Sequence, residues 1–116
     1  MEFSDEQAAL DAALLVFCNC PDGAVASTLA QGIVAARLAA CVNLLPEVRS
    51  VYRWQDRIET TTEVPLLIKT TRARYPALQD WLAAQHPYDV PEIIATPVVA
   101  GFAPYLHWLA DNALEN

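Results

Sequence analysis

The sequence predicts a single α+β domain, a ferredoxin-like β-α-β-β-α-β sandwich with an over-long central hairpin and an extra C-terminal helix. Two observations carry that expectation. Strand-like and helix-like stretches alternate in this order from residue 14 to residue 109. The two middle strands, 41–54 and 58–71, are each more than twice the usual ~5–6 residues. At 116 residues the chain suits one domain.

Each element has its own reason. Leu14-Leu15-Val16-Phe17-Cys18 is a continuous apolar run, the mark of a strand covered on both faces. Pro21-Asp22-Gly23 ends it, and Asp22 is a good helix cap. Val25, Leu29 and Ile33, with Ala26 and Val34, then recur at helical spacing up to Arg37. From Cys41 a strand follows in which Val42, Leu44, Val48, Tyr52 and Trp54 share one parity, while Glu47, Arg49 and Arg53 take the other. Pro46 interrupts it and suggests a bulge. Gln55-Asp56-Arg57 reads as a turn into the strand 58–71, where Pro65 hints at an edge or a second bulge. Pro76 suits a helix start, with Leu78, Trp81 and Leu82 on the buried side. The apolar run 93–99 reads as a buried fourth strand. Gly101 and Pro104 introduce a last helix bearing Leu106 and Leu109 with the aromatics Tyr105 and Trp108. Residues 1–13 read as an acidic leader without stable structure, leaving 14–116 as the domain.

Composition constrains the surroundings of that domain. With 54% hydrophobic and 18% charged residues, the chain holds more apolar side chains than a small core needs. The surplus is expected at a second interface, because loose apolar patches aggregate. The hairpin points the same way. Its far end, with Tyr52, Arg53, Trp54, Ile58 and Glu59, must project beyond the sheet, and projecting edges invite association that closed symmetry satisfies.

Net charge is −7, yet all seven Lys and Arg fall within 37–74, against four acids there. A cationic middle on an anionic body suits attraction between subunits or a pocket for a small anion. It is not a nucleic-acid footprint, because the whole chain repels phosphate at long range. The apolar run 12–18 is too short for export or membrane spanning. Three cysteines in a chain of this kind suggest reduced thiols and a cytoplasmic location.

The most informative stretch is His86-Pro87-Tyr88-Asp89-Val90-Pro91-Glu92-Ile93. Pro87 and Pro91 hold the backbone extended, so it is neither helix nor central strand. Together with Ala36-Arg37-Leu38-Ala39-Ala40-Cys41-Val42-Asn43, Ser50-Val51-Tyr52-Arg53-Trp54 and Ile68-Lys69-Thr70-Thr71, it resembles the CutA family of divalent cation tolerance proteins. The resemblance runs in order from about Leu14 to Leu109. It implies the ferredoxin-like fold, a homotrimer joined through the long hairpin, and a role in the response to metal ions.

Two constellations stand out as candidate sites. Cys18 and Cys20 are two apart at the end of the first strand and so point to the same side. Thiolates there suit Cu(I), and a neutral imidazole suits Cu(II) or Zn(II), which makes His86 the third candidate ligand. By spacing alone, a C-x-C pair is a weak metal signal. The CutA resemblance adds to it, since copper binding in that family is ascribed to the positions of Cys18 and His86. Gln85 stands where some members carry a second histidine, and Cys20 can serve as an extra thiolate. Cys41 reads as core packing.

The second constellation is Lys69, Asp89, Glu92, Tyr88 and Tyr105. Lys69 sits within an apolar strand, so its charge must be paired or face a cleft. It reads either as a structural ion pair at a subunit boundary or as an inter-subunit pocket where Lys69 meets a small anion and Trp54 or Tyr105 closes over it. No nucleophile, phosphate loop or triad accompanies the carboxylates, so an enzyme is not expected. The sequence thus points to a cytoplasmic, trimeric, copper-binding protein. Its rivals are a small-molecule sensor, since trimers of this fold also resemble the PII signalling proteins, and a trimeric anchor for another protein.

Overall fold

A computed structural model describes residues 12–115. The leader expected at 1–13 therefore falls almost wholly outside the described residues. In order, the elements are β1 (Ala13–Cys20), α1 (Gly23–Ala35), β2 (Cys41–Leu44), β3 (Val48–Trp54), β4 (Arg57–Thr71), α2 (Tyr75–Gln85), β5 (Ile94–Pro97) and α3 (Ala103–Asn112). The sheet runs β2-β4-β1-β5 with every pair antiparallel, and β3 continues beside β4 beyond the end of β2. This is the expected ferredoxin-like α+β arrangement with its additional C-terminal helix.

β1 lies between β4 and β5, and its alternation assigns the two faces. Val16, Cys18 and Cys20 point into the core with Val64, Leu66 and Ile68 of β4. Helices α1 and α2 cover that face with Ala26, Leu29, Ile33, Leu78 and Leu82. Each of the larger side chains contributes about 1.5–3 kcal/mol by leaving water. The opposite face is only half covered. There α3 packs Leu106 and Leu109 on Ala13 at one end, while Leu15, Phe17, Leu67 and Lys69 remain half-buried. The apolar run in β1 predicted cover on both sides, and one protomer supplies it fully on one. The fourth strand differs as well. The expected buried run 93–99 contracts to four exposed residues at the sheet edge, where Pro97 is tolerated because an edge strand has unpaired donors anyway.

Helix α1 shows how locally the chain is specified. Its first turn is closed by Asp22, whose carboxylate accepts the Val25 N–H at 2.9 Å. At its other end Arg37 adopts a left-handed φ of 57°. The Arg37 and Leu38 N–H groups return to the carbonyls of Val34 and Ile33 at 3.0 Å each, a Schellman closure in which Leu38 joins Ile33 in the core. The Arg74 side chain donates to the carbonyls of Arg37 and Ala36 at 3.1 and 3.5 Å, placing a cation at the negative end of the helix.

The hairpin carries the main departure from expectation. Leu44 pairs with Leu66, whereas Val48 pairs with Glu63. Three residues, Leu45, Pro46 and Glu47, thus oppose two, Val64 and Pro65. That single extra residue is the bulge anticipated at Pro46, and it reverses the side on which later residues point. Val42 and Leu44 share the helix-covered face, while Val48, Ser50, Tyr52 and Trp54 share the Glu63 face. The single parity expected for all five apolar residues is corrected by this shift. Beyond it the ribbon projects, turning through Gln55 and Asp56 at φ 49° and 63°. The described chain extends 55 × 26 × 23 Å. Its radius of gyration is 15.4 Å, against about 13 Å for a compact chain of this length.

Gly32 in α1 faces the Trp81 ring of α2, and an added Cβ would sit 2.7 Å from that ring. Alanine improves helix propensity by about 1 kcal/mol, whereas forcing the ring aside costs about 1–3 kcal/mol. The overpacking dominates. Gly32→Ala is therefore expected to lower stability by about 1 kcal/mol in urea unfolding, and a stabilised variant would contradict this packing.

Candidate functional site: a buried thiol–imidazole cluster beside an acidic cleft

The even residues at the end of β1 bring Cys18 and Cys20 side by side in the core, each with no exposed surface. Helix α2 ends at Gln85, and its C-cap, His86, drops onto them, 7% exposed. One sulfur from each cysteine and a ring nitrogen of His86 lie within 4.8 Å of one another. The structure thus unites the three sequence-predicted ligands. All three cysteines are free thiols. Cys41 stands apart, half-buried opposite Lys69 rather than in the core.

The cysteines behave as a pair. A hydrogen bond with Cys20, helped by burial and by the negative charge of Cys20, Glu92 and Glu63, pushes the Cys18 thiol well above the ordinary range. The same bond, with Cys18 as donor, lowers Cys20 despite its burial. One proton therefore leaves the pair more readily than the second.

Both nitrogens of His86 are in use. Nε2 lies 2.8 Å from the Asn19 carbonyl, and Nδ1 accepts the Tyr88 N–H at 3.1 Å. A carbonyl can only accept, so the proton resides on Nε2 and the lone pair on Nδ1. The rings of His86 and Tyr88 stack obliquely at 4.7 Å. From there the Tyr88 hydroxyl reaches across to donate to Glu63 Oε2 at 3.0 Å.

That bond forms the floor of a cleft of about 610 Å³ between the hairpin and the proline-stiffened connector. The hairpin supplies Ser50, Tyr52, Trp54 and Glu63, and the connector supplies Tyr88, Asp89, Val90 and Glu92. Asn19, between the two cysteines, lines it as well. Burial first, then the Glu63 hydrogen bond, raises the Tyr88 phenol to about 12.

Trp54, Asp89 and Glu92 of the second constellation are therefore assembled in one cleft. Lys69 and Tyr105 are not part of it. Among the described residues Lys69 forms no ion pair with Asp89 or Glu92. It lies on the half-covered face with its ammonium 5.8 Å from the Tyr105 ring centroid, and Tyr105 leans on Trp108 at 5.6 Å. Within one protomer the cleft thus carries three carboxylates and no base. Its field suits a cation. Glu63 escaped the sequence reading. Its signal was available, because an acid beside Val64 and Leu66 demands a partner just as Lys69 does.

A ferredoxin-like sheet whose first strand ends in a thiol pair capped by a histidine defines a small α+β protein with a soft-metal donor set. The profile of the CutA1 divalent ion tolerance protein family matches residues 14–112, and the chain belongs to that family. It is 47% identical over 93 residues to Protein CutA of Mus musculus, covering 80% of this chain and 52% of the mouse protein. It thus spans about half the length of that relative. The divalent-cation tolerance protein CutA of Thermus thermophilus is 45% identical over 98 residues, covering 84% of this chain and 95% of the relative. Among solved structures, CutA1 from Oryza sativa superposes with a TM-score of 0.88 at 37% identity, over 93% of this chain and 99% of that one. A CutA structure from Archaeoglobus fulgidus, described as periplasmic, gives 0.85 at 27% identity, over 88% and 99%.

The Tyr88 environment makes a pH prediction. A phenol whose folded-state value is raised favours its neutral form, so its contribution to stability is complete below about pH 10 and is lost as pH rises towards about 12. In an ultraviolet titration Tyr88 should ionise late, towards about pH 12, and Tyr88→Phe should remove that late step. A late step that survives in Tyr88→Phe would refute the assignment.

Proposed function

We propose that this chain is a homotrimeric metal-responsive protein that takes copper at Cys18, Cys20 and His86. The observation that carries the reading is the convergence of two thiols and one imidazole within 4.8 Å in a buried site. Two thiolates and an imidazole are a soft donor set suited to Cu(I), and an ion bound there would supply Lewis acidity held away from water. The residues fit it. Glu63 and Glu92 lie close enough to bias the cysteines and would favour a cation in the same place.

The trimer is supported by unfinished surface. Val51, Ile58 and Ile94 are 67%, 64% and 57% exposed, on a projecting ribbon and an open sheet edge, and Leu15, Phe17 and Leu67 lie half-covered. Such surface favours closure by further copies. The protein works without catalysing a reaction, in the cytoplasm, where its three thiols stay reduced. No described helix is long and apolar enough to cross a membrane. A second reading, a small-molecule sensor, is favoured by the cleft, whose 610 Å³ lies in the range of ligand pockets.

Titration of the reduced protein with Cu(I) against a competing chelator tests the metal reading. Wild type should bind one ion per chain, and Cys18→Ser with Cys20→Ser should weaken binding at least ~100-fold, the loss expected when the ligating thiolates go. Equal affinity in that variant would remove the copper site. Sedimentation equilibrium should return three copies, and a monomer at micromolar concentration would remove the trimer. Thermal-shift stabilisation by an organic cation but not by copper would favour the sensor.

A further inference from the structure

His86 has one lone pair and two claimants. We infer that metal uptake at the cysteine pair releases the connector 87–92 and opens the Tyr88–Glu63 floor of the cleft, so that the cleft reports the state of the metal site. This inference rests on the metal reading above.

A neutral ring offers a metal one lone pair, on the nitrogen that carries no proton. If the ion takes Nδ1, the Tyr88 N–H loses its acceptor. If it takes Nε2, the proton must move to Nδ1, where it meets the Tyr88 N–H donor head-on, and the Asn19 carbonyl loses its donor. Either tautomer breaks the 3.1 Å bond from the Tyr88 N–H. No arrangement of the ring satisfies the ion and Tyr88 together.

The consequence is carried by the connector itself. Pro87 precedes Tyr88 and Pro91 follows three residues later, so the segment is stiff, and rotation at its start swings the whole. The Tyr88 ring, stacked obliquely on His86, then moves with its backbone and draws its hydroxyl off Glu63, 3.0 Å away. Glu63, 7% exposed, becomes available to a cleft ligand. Linkage requires the converse: whatever loosens Tyr88 favours the ion by the same factor.

The test follows the Tyr88 amide by hydrogen exchange in the reduced full chain, with and without one equivalent of Cu(I). Protection at Tyr88 is expected to fall at least ~10-fold in wild type and to stay unchanged in Cys18→Ser, Cys20→Ser. Uptake of Cu(I) with unaltered Tyr88 protection overturns the coupling and leaves the metal reading standing. Absence of uptake overturns both. Two further arms stand apart from that one. In metal-free protein, His86→Gln should by itself deprotect Tyr88, and retained protection overturns the coupling whatever the metal does. Tyr88→Phe keeps the backbone N–H but frees the ring from Glu63, so Cu(I) should bind about 5-fold tighter, the factor equivalent to one ordinary hydrogen bond. Unchanged or weaker binding there also overturns the proposal.

Discussion

The site side of this protein hangs on one extra residue near Pro46. Register in an antiparallel ribbon fixes which side every later residue faces, because side chains alternate with period two. Without the bulge, Ser50, Tyr52 and Trp54 would continue on the side of Val42 and Leu44, away from Glu63. With it, the aromatics and Glu63 face the connector together, and a cleft exists. Proline suits that place because the bulged residue gives up its ladder hydrogen bond in any case.

β4 carries two duties as a result. Its C-terminal half, Val64 to Thr71, is sandwiched between β2 and β1 and supplies Leu66 and Ile68 to the core. Its N-terminal half pairs with β3 alone and projects. Hydrophobic burial anchors the first half. The second has little to lean on within one protomer, which is why its apolar residues stand in water.

The two halves of the site communicate through backbone as well as side chains. Asn19 lies between the cysteines, its carbonyl bonded by His86, and it also lines the cleft. His86 belongs to the helix layer and Tyr88 to the cleft, with only Pro87 between them. A buried imidazole with both nitrogens engaged is a rigid joint while its partners persist, and it yields only when a stronger acceptor of its lone pair arrives. The low dielectric around Cys18 and Cys20 makes the arrangement decisive, since charge gained or lost there is poorly screened.

Local chemistry was enough to determine much of this from the chain alone. Asp22 before Gly23 starts a helix, Val25 to Ile33 repeat at helical spacing, Pro46 breaks a strand, and Cys18 with Cys20 must share a face. Each of these is a matter of a few neighbouring residues, and the element order follows from them. Other features depend on residues far apart meeting. The register that turns Tyr52 and Trp54 towards Glu63, the separation of Lys69 from Asp89 and Glu92, and the double engagement of His86 by Asn19 and Tyr88 are products of pairing across the sheet. Period and composition along a strand do not reveal which partner lies opposite, and only the folded arrangement of β1, β3 and β4 decided it.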